Sequence, residues 1–104
     1  MNALKEITIL VIEDDPGHSR LIEKNLIRAN INNTIKKMNN GQQAVDYLLE
    51  NSSSLEPNDK PSMLVLLDLN LPGLNGLQVL EKMKGNAATR NIPVIILTTS
   101  DDPD

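Results

Sequence analysis

Residues 63–76 read MLVLLDLNLPGLNG. The first five residues are apolar and do not alternate with polar ones, which is typical of a strand buried on both faces of a parallel sheet. A carboxylate, Asp68, follows this run directly. The Pro72-Gly73 pair then predicts a turn, and Asn75 is a suitable cap for a following helix. This stretch therefore predicts a buried strand that delivers an acid to the edge of a sheet.

Three other segments extend this pattern along the chain. Strands are predicted at Ile7–Ile12, Met63–Leu67 and Val94–Leu97, with a weaker edge strand carrying two lysines at Thr34–Met38. The residues between the strands have apolar positions at helical spacing. These are Leu21, Ile22, Leu26, Ile27 and Ala29, then Ala44, Val45, Leu48 and Leu49, then Leu77, Leu80 and Met83. The alternation predicts a doubly wound α/β fold, with residues 51–61 as a loop.

The composition limits the classes of function. With 104 residues, 31 of them Leu, Ile or Val, the chain can form one domain with a packed core. A net charge of −4, no basic cluster and a single aromatic residue argue against binding to nucleic acid or to an anionic membrane. The absence of Cys excludes disulfides, thiol catalysis and Cys-ligated zinc. The apolar run near the amino terminus is too short for a signal peptide or a membrane span, so we expect a cytoplasmic protein.

Polar side chains follow three of the predicted strands. Glu13 and Asp14 come after the first, Asp68 after the third, and Thr98 and Thr99 after the fourth. The carboxyl ends of parallel strands meet at one edge of the sheet, so these groups should converge there. Two carboxylates about 4 Å apart repel by roughly 4 kcal/mol at an effective dielectric constant near 20, and a cation would offset this cost. Oxygen ligands without Cys or His nearby favour Mg²⁺.

Other residues near these acids have simpler interpretations. Asp14 or Asp15 can cap the first helix with Pro16 at its first position, and this structural role is favoured for Asp15. The capping role alone does not explain why a second acid, Asp68, should follow a different buried strand. His18, the sole histidine, is interpreted as a surface residue.

Three segments resemble the receiver domains of two-component response regulators, the CheY-like family. They are VIEDDP at 11–16, LLDLNLPGLNG at 66–76 and PVIILTT at 93–99. The resemblance implies that Asp68 is the phosphoacceptor. It also implies a Mg²⁺ site in which Asp14 is a direct ligand, Glu13 acts through water, and Asp68 and the main-chain carbonyl of Asn70 complete the protein ligands.

The resemblance also implies a signalling role. Thr98 would be the switch hydroxyl that moves toward the phosphoryl group, with Thr99 beside it. The phosphoryl donor would be a sensor histidine kinase. The residues in and around the motifs are most similar to those of single-domain receivers paired with phytochrome-like kinases. Such a domain is a phosphoacceptor with self-catalysed phosphotransfer and autodephosphorylation rather than an enzyme, and it switches conformation to control a partner.

The family carries a lysine after a fifth strand, whereas this chain ends at Asp104, just past the fourth. We therefore expect residues 1–104 to be a C-terminally incomplete receiver of flavodoxin-like fold, with strand order 2-1-3-4. The Val94–Leu97 strand would then be an exposed apolar edge and a site of self-association. Two alternatives stay open: a phosphorylation-independent pseudo-receiver or binding fragment, and a haloacid-dehalogenase-like phosphatase. The phosphatase family has a second acid at the position of Asn70, which disfavours it.

Overall fold

The computed structural model describes residues 7–53 and 63–97. Seven elements occur in these ranges: β1 (Thr8–Ile12), α1 (Pro16–Arg28), β2 (Ile35–Met38), α2 (Gly41–Ser53), β3 (Met63–Asp68), α3 (Gly76–Lys84) and β4 (Val94–Leu97). The predicted order of strands and helices is confirmed, and each strand boundary agrees with the prediction to within one residue. The predicted loop at 51–61 begins too early, because α2 continues to Ser53. The rest of that loop lies outside the described residues.

The four strands form one parallel sheet in the order β2-β1-β3-β4, as predicted. β1 pairs with β2 on one side and β3 on the other, so Ile9 faces Ile35 in one neighbour and Leu64 in the other. This central position explains why β1 and β3 are almost uninterrupted apolar runs. β2 lies at an edge, where Lys36 and Lys37 are exposed and discourage further pairing.

Helices cover both faces of the sheet, which confirms the doubly wound architecture. α2 and α3 pack on one face over the larger core cluster: Leu10, Ile12, Ala44, Val45, Leu48, Met63, Val65, Leu67, Leu71, Val79 and Met83. α1 covers the other face, where Ile22 and Leu26 pack against Ile9, Val11 and Leu66. None of the helices in the described ranges has the length and apolarity needed to cross a membrane.

Several apolar residues that we predicted to face the core are exposed instead. Leu21 and Ile27 of α1 are 54% and 56% exposed, and Leu77 of α3 is 58% exposed. Ala29 is also exposed, because α1 ends there. The core position of α3 is taken by Val79 rather than Leu77. Helical spacing in the sequence is compatible with burial of several adjacent faces of a helix. The position of the sheet determines which of these faces is buried.

β4 is partly exposed, as expected for an apolar strand at the edge of the described sheet. Ile95 is 50% exposed and Ile96 is 36% exposed, while Val94 and Leu97 pack against the core. β4 lies at an edge of the described sheet, and an edge strand is covered less completely than a central one. Self-association through this edge remains a prediction.

Local capping sets where α1 and α3 begin. The Asp15 carboxylate accepts a hydrogen bond from the Gly17 amide at 2.8 Å, and Pro16 occupies the first turn of α1, as predicted. Asn75 caps α3 through a capping box, in which its side chain accepts from the Gln78 amide and the Gln78 side chain accepts from the Asn75 amide, both at 2.9 Å. Both caps lie at the edge of the sheet that carries the acids.

The connection from α3 to β4 is anchored by a buried hydroxyl. Thr89 is fully buried, and its Oγ1 donates to the carbonyl of Met83 at 2.7 Å, near the end of α3. The same carbonyl also accepts a longer hydrogen bond from the Asn86 amide at 3.3 Å, so two donors hold this end of the helix. The contact therefore ties the end of α3 to the loop that leads into β4.

Replacing Thr89 with Val keeps the volume but removes the donor. We expect the free energy of unfolding to fall by about 0.5–1.5 kcal/mol, because the Met83 carbonyl loses its shorter hydrogen bond and keeps only the one from the Asn86 amide. Thr34→Val is the matched control at an exposed position directly before β2 and should stay within about 0.5 kcal/mol of the parent. Urea unfolding of the three chains measures both effects, and equal stabilities would show that the hydroxyl contributes nothing.

Candidate functional site

Three acids meet at the carboxyl edge of the sheet, as predicted. Glu13 and Asp14 follow β1, and Asp68 is the last residue of β3. One carboxylate oxygen from each lies within 4.8 Å of the others. Glu13 is 3% exposed and Asp68 is 2% exposed, whereas Asp14 is exposed to solvent. Two buried carboxylates and an exposed one thus share a single site.

The backbone of the sheet holds Glu13 in this position. Its amide donates to the carbonyl of Met38 at 2.9 Å, which continues the pairing of β1 with β2 by one residue. The Glu13 side-chain oxygen Oε2 accepts a hydrogen bond from the Asp15 amide at 3.2 Å. The other oxygen, Oε1, is buried and has no hydrogen-bond partner among the residues that the structure describes. An unpaired buried carboxylate oxygen is costly unless a cation or a proton compensates it.

The pKa of the Glu13 carboxyl group is raised above its ordinary value. Burial is the largest cause, and the neighbouring Asp68 carboxyl group adds to it through contact and charge. The Asp15 amide and the nearby His18 act in the opposite direction and favour the ionised form. The raised pKa therefore reflects mainly the cost of burying a charged carboxylate, to which the neighbouring Asp68 adds.

The loop after Asp68 is held in place by close backbone contacts. The Asn70 amide donates to Asp68 Oδ1 at 3.0 Å, which orients the carboxylate. At Gly76, a Cβ atom would lie 2.5 Å from the Asp68 carbonyl oxygen, and at Gly41 a Cβ atom would lie 2.3 Å from the Leu74 carbonyl oxygen. Both helices that pack against this loop therefore begin with a residue whose lack of a side chain allows the approach. Sequence reasoning identified neither glycine as a contact residue.

The donor set fits a hard divalent cation. All three side chains offer carboxylate oxygens, and Glu13 Oε1 is both buried and unpartnered within the described part of the chain. Asn70 lies two residues after Asp68 in the same loop, and it contacts Asp68 through its amide. Thr98 and Thr99, predicted at the same edge, lie outside the described residues.

His18 is closer to the acids than the sequence indicated. Its Nδ1 atom lies 3.7 Å from Glu13 Oε2 and 3.6 Å from Asp15 Oδ2. It is the third residue of α1, and its side chain is 41% exposed. The sequence gives one indication of this contact, because His18 lies in the first turn of the helix that follows Glu13 and Asp14.

Comparison with known proteins places this site in a family. A sequence profile of the response regulator receiver domain matches residues 9–104. The chain belongs to the response regulator receiver family. Among curated proteins, it is 36% identical over 96 residues to the response regulator Rcp1 of Synechocystis sp., a match covering 92% of this chain and 64% of Rcp1. The chain thus spans less than two thirds of that relative's length.

Solved structures of receivers share the fold. A receiver domain from Rhodospirillum rubrum matches with a TM-score of 0.78 and 49% identity, over 91% of this chain and 67% of that one. The bacteriophytochrome response regulator AtBRR matches with a TM-score of 0.78 and 34% identity, over 94% of this chain and 70% of that one. The family match excludes the haloacid-dehalogenase interpretation. Receivers of this family take part in two-component signalling with sensor histidine kinases.

Divalent metal binding has a parallel among these relatives. The Mn²⁺-bound form of Rcp1 matches with a TM-score of 0.71 and 36% identity, over 93% of this chain and 68% of that one. The acidic cluster of the present receiver agrees with this chemistry.

An open cavity of about 490 Å³ lies beside the acids of this receiver. Glu13 and Asp14 line one part of it, and Arg20 and Lys37 line another. Lys37 is paired with Glu23 of α1 at 2.8 Å. Solvent and small ions can therefore reach the acidic cluster from the side of α1.

The raised pKa of Glu13 predicts that the stability of the metal-free receiver falls as the pH rises. The folded state holds the Glu13 proton more tightly than the unfolded state, so this contribution is present below the ordinary pKa of a glutamate side chain and is lost as the pH rises through the raised value. Asp68→Asn removes the neighbouring carboxylate, which is one cause of the raised pKa, so the variant should lose less stability as the pH rises from the ordinary glutamate pKa through the raised value.

Urea unfolding in the presence of a chelator measures this difference. Asp46→Asn is the matched control, because Asp46 is an exposed acid of α2 that contacts Gln42. If the free energies of unfolding of the parent and of Asp68→Asn changed with pH in the same way, Asp68 would not contribute to the raised pKa of Glu13.

Proposed function

We propose that Asp68 accepts a phosphoryl group from a phosphohistidine of a sensor histidine kinase. The observation that carries this proposal is the convergence of Glu13, Asp14 and Asp68 within 4.8 Å, with a buried oxygen of Glu13 left unpartnered by the described residues. A Mg²⁺ ion is the proposed cofactor. Asp14, Asp68 and the main-chain carbonyl of Asn70 would hold it directly, and Glu13 through water.

The chemistry proposed for Asp68 is nucleophilic attack on phosphorus. A carboxylate oxygen of Asp68 forms the new bond to phosphorus, the bond from phosphorus to the donor nitrogen breaks, and its electron pair returns to the imidazole ring. Bound Mg²⁺ would offset the negative charge of the acids and of the phosphoryl oxygens. The Asn70 amide orients the Asp68 carboxylate, and the pairing of β3 with β4 fixes the backbone position of Asp68. Hydrolysis of the resulting acyl phosphate would reset the receiver.

The proposed partner is a phytochrome-like sensor histidine kinase. This is supported by likeness to AtBRR, a bacteriophytochrome response regulator, and to RcpA, a cyanobacterial phytochrome response regulator whose phosphorylated form matches with 31% identity. Thr98 is the proposed switch hydroxyl, on the strength of its place in the PVIILTT segment. It would convert phosphorylation into a change of surface that a downstream protein recognises.

We expect the full chain to incorporate phosphate at Asp68 when it is incubated with a small acyl phosphate donor and Mg²⁺. The label should be stable in acid and labile in base, as an acyl phosphate is. Asp68→Asn and excess chelator should each abolish incorporation, whereas the control Asp46→Asn should not. Mass spectrometry after borohydride reduction locates the label. A folded parent chain that takes up no label would favour the pseudo-receiver alternative.

The acids should contribute unequally to Mg²⁺ affinity. Glu13→Ala removes a group that acts through water, and such outer-shell changes typically cost about 10- to 100-fold in metal affinity. Asp14→Ala removes a direct ligand and should weaken binding further. Isothermal titration calorimetry on the two variants measures the order. The reverse order would exchange the proposed roles of the two acids.

A further inference from the structure

The open cavity beside the acids has walls of opposite charge. Glu13 and Asp14 belong to one wall, and Arg20 and Lys37 belong to the other. Its volume of about 490 Å³ lies within the range of cavities that hold small molecules in proteins, roughly 300–1,000 Å³. The cavity is therefore large enough for a ligand that reaches from the acids to the basic wall.

The two cations of the basic wall differ in their partners. Lys37 is paired with Glu23 at 2.8 Å, so its charge is already compensated. Arg20 is exposed and has no ion pair with any residue of the described ranges 7–53 and 63–97. Its guanidinium group presents N–H donors in a planar fork that matches the two oxygens of a carboxylate. Arg20 is thus the cation of this wall that is open to an anionic ligand.

The cavity lies on the side of the acids that faces away from Asp68. The sheet order β2-β1-β3 places the end of β1 between Asp68 and the end of β2. Lys37 and Met38, the last two residues of β2, line the cavity. An in-line displacement at phosphorus directs the leaving group away from the attacking oxygen. A group displaced by Asp68 can therefore extend past the end of β1 into this cavity.

The position of Arg20 on α1 sets the length of a suitable ligand. Arg20 follows Asp15, the N-cap of α1, by five residues, which corresponds to about 7.5 Å along the helix axis. The cap itself lies next to the acids, because the Asp15 amide donates to the Glu13 carboxylate. A phosphoryl group at the acids and a carboxylate at Arg20 are thus separated by about the width of an aromatic ring.

We propose that this cavity is a leaving-group subsite in which Arg20 selects phosphoryl donors that carry a carboxylate, namely the monoacyl phosphates of dicarboxylic acids. The inference rests on the phosphoacceptor role of Asp68 in the proposed function. An Asp68 oxygen forms the new bond to phosphorus, and the bond from phosphorus to the acyl oxygen breaks. Its electron pair stays on the acyl group, which leaves as a dicarboxylate. Arg20 binds the carboxylate at the far end of the donor.

The test compares two acyl phosphates that differ only in this carboxylate, benzoyl phosphate and 4-carboxybenzoyl phosphate. The second-order rate constant for labelling of Asp68 in the full chain is measured with each donor in the presence of Mg²⁺. The ratio of the constants, carboxybenzoyl over benzoyl, should fall about fivefold in Arg20→Gln, the upper end for an exposed ion pair. Because each ratio is compared with that of the parent chain, the intrinsic reactivities of the two donors cancel.

A matched variant separates a local contact from a general effect of charge. Arg28→Gln is the same substitution at an exposed position of the same helix, about 12 Å further along its axis. It should keep the ratio of the parent. Circular dichroism confirms that each variant folds.

Inert analogues measure binding without phosphoryl transfer. In the Mg²⁺-loaded chain, 4-carboxyphenylphosphonate should bind more tightly relative to phenylphosphonate in the parent than in Arg20→Gln. NMR titration measures these affinities, and the amide shifts that depend on the carboxylate should occur in α1 and at the end of β2.

An unchanged ratio in Arg20→Gln, or an equal fall in Arg28→Gln, would overturn the subsite and leave the phosphoacceptor role of Asp68 intact. Equal relative affinities for the two phosphonates in the parent and in Arg20→Gln would overturn it as well. A folded parent chain that is labelled by neither donor would instead overturn the phosphoacceptor role, and this inference with it.

Discussion

The cost of burying two carboxyl groups together constrains this end of the molecule. Glu13 and Asp68 are almost fully buried and lie beside each other, although each would be more stable in water. They cannot separate, because the Glu13 amide is paired with Met38 of β2 and Asp68 is in register with Leu97 of β4. Moving either acid would break pairing in a sheet whose centre is fully apolar. The fold thus maintains an electrostatic strain that a divalent cation can relieve.

The loop from Leu69 to Asn75 couples this strain to the rest of the domain. α2 and α3 both begin with glycines pressed against the loop or the strand end before it, and the α3 capping box closes the loop. The same segment carries Asn70, whose amide orients Asp68. A change in charge at Asp68 therefore acts on a segment that contacts the starts of two helices. This is the kind of connection that a receiver needs in order to report phosphorylation at a distance.

His18 and Arg20 show how the first turns of α1 contribute to the site. His18 contacts Glu13 and Asp15, and Arg20 lines the cavity beside Glu13 and Asp14. The N-cap hydrogen bond of Asp15 fixes where this turn begins, and so it fixes which residues of α1 reach the acids. Capping has a functional consequence here because the helix starts at the edge of the sheet where the acids converge.

Sequence alone determined the features that depend on local patterns. The uninterrupted runs of β1 and β3, the caps Asp15 and Asn75, and the acids after two strands all follow from short-range rules, and the receiver motifs identified the family. Helix faces were only partly predicted. The apolar residues Leu21, Ile27 and Leu77 have acceptable helical spacing, and only the position of the sheet shows that they face solvent.

Tertiary structure decided the environment of each site residue. Nothing in the segment EDDPGH distinguishes Glu13 as buried with one unpartnered oxygen, Asp14 as exposed, or His18 as a contact of two carboxylates. Nor does the sequence indicate that Gly41 and Gly76 begin their helices against the backbone near Asp68. These properties arise from distances between segments that are far apart along the chain. Burial, pKa and close backbone contact depend on those distances, whereas strands and caps depend on neighbouring residues.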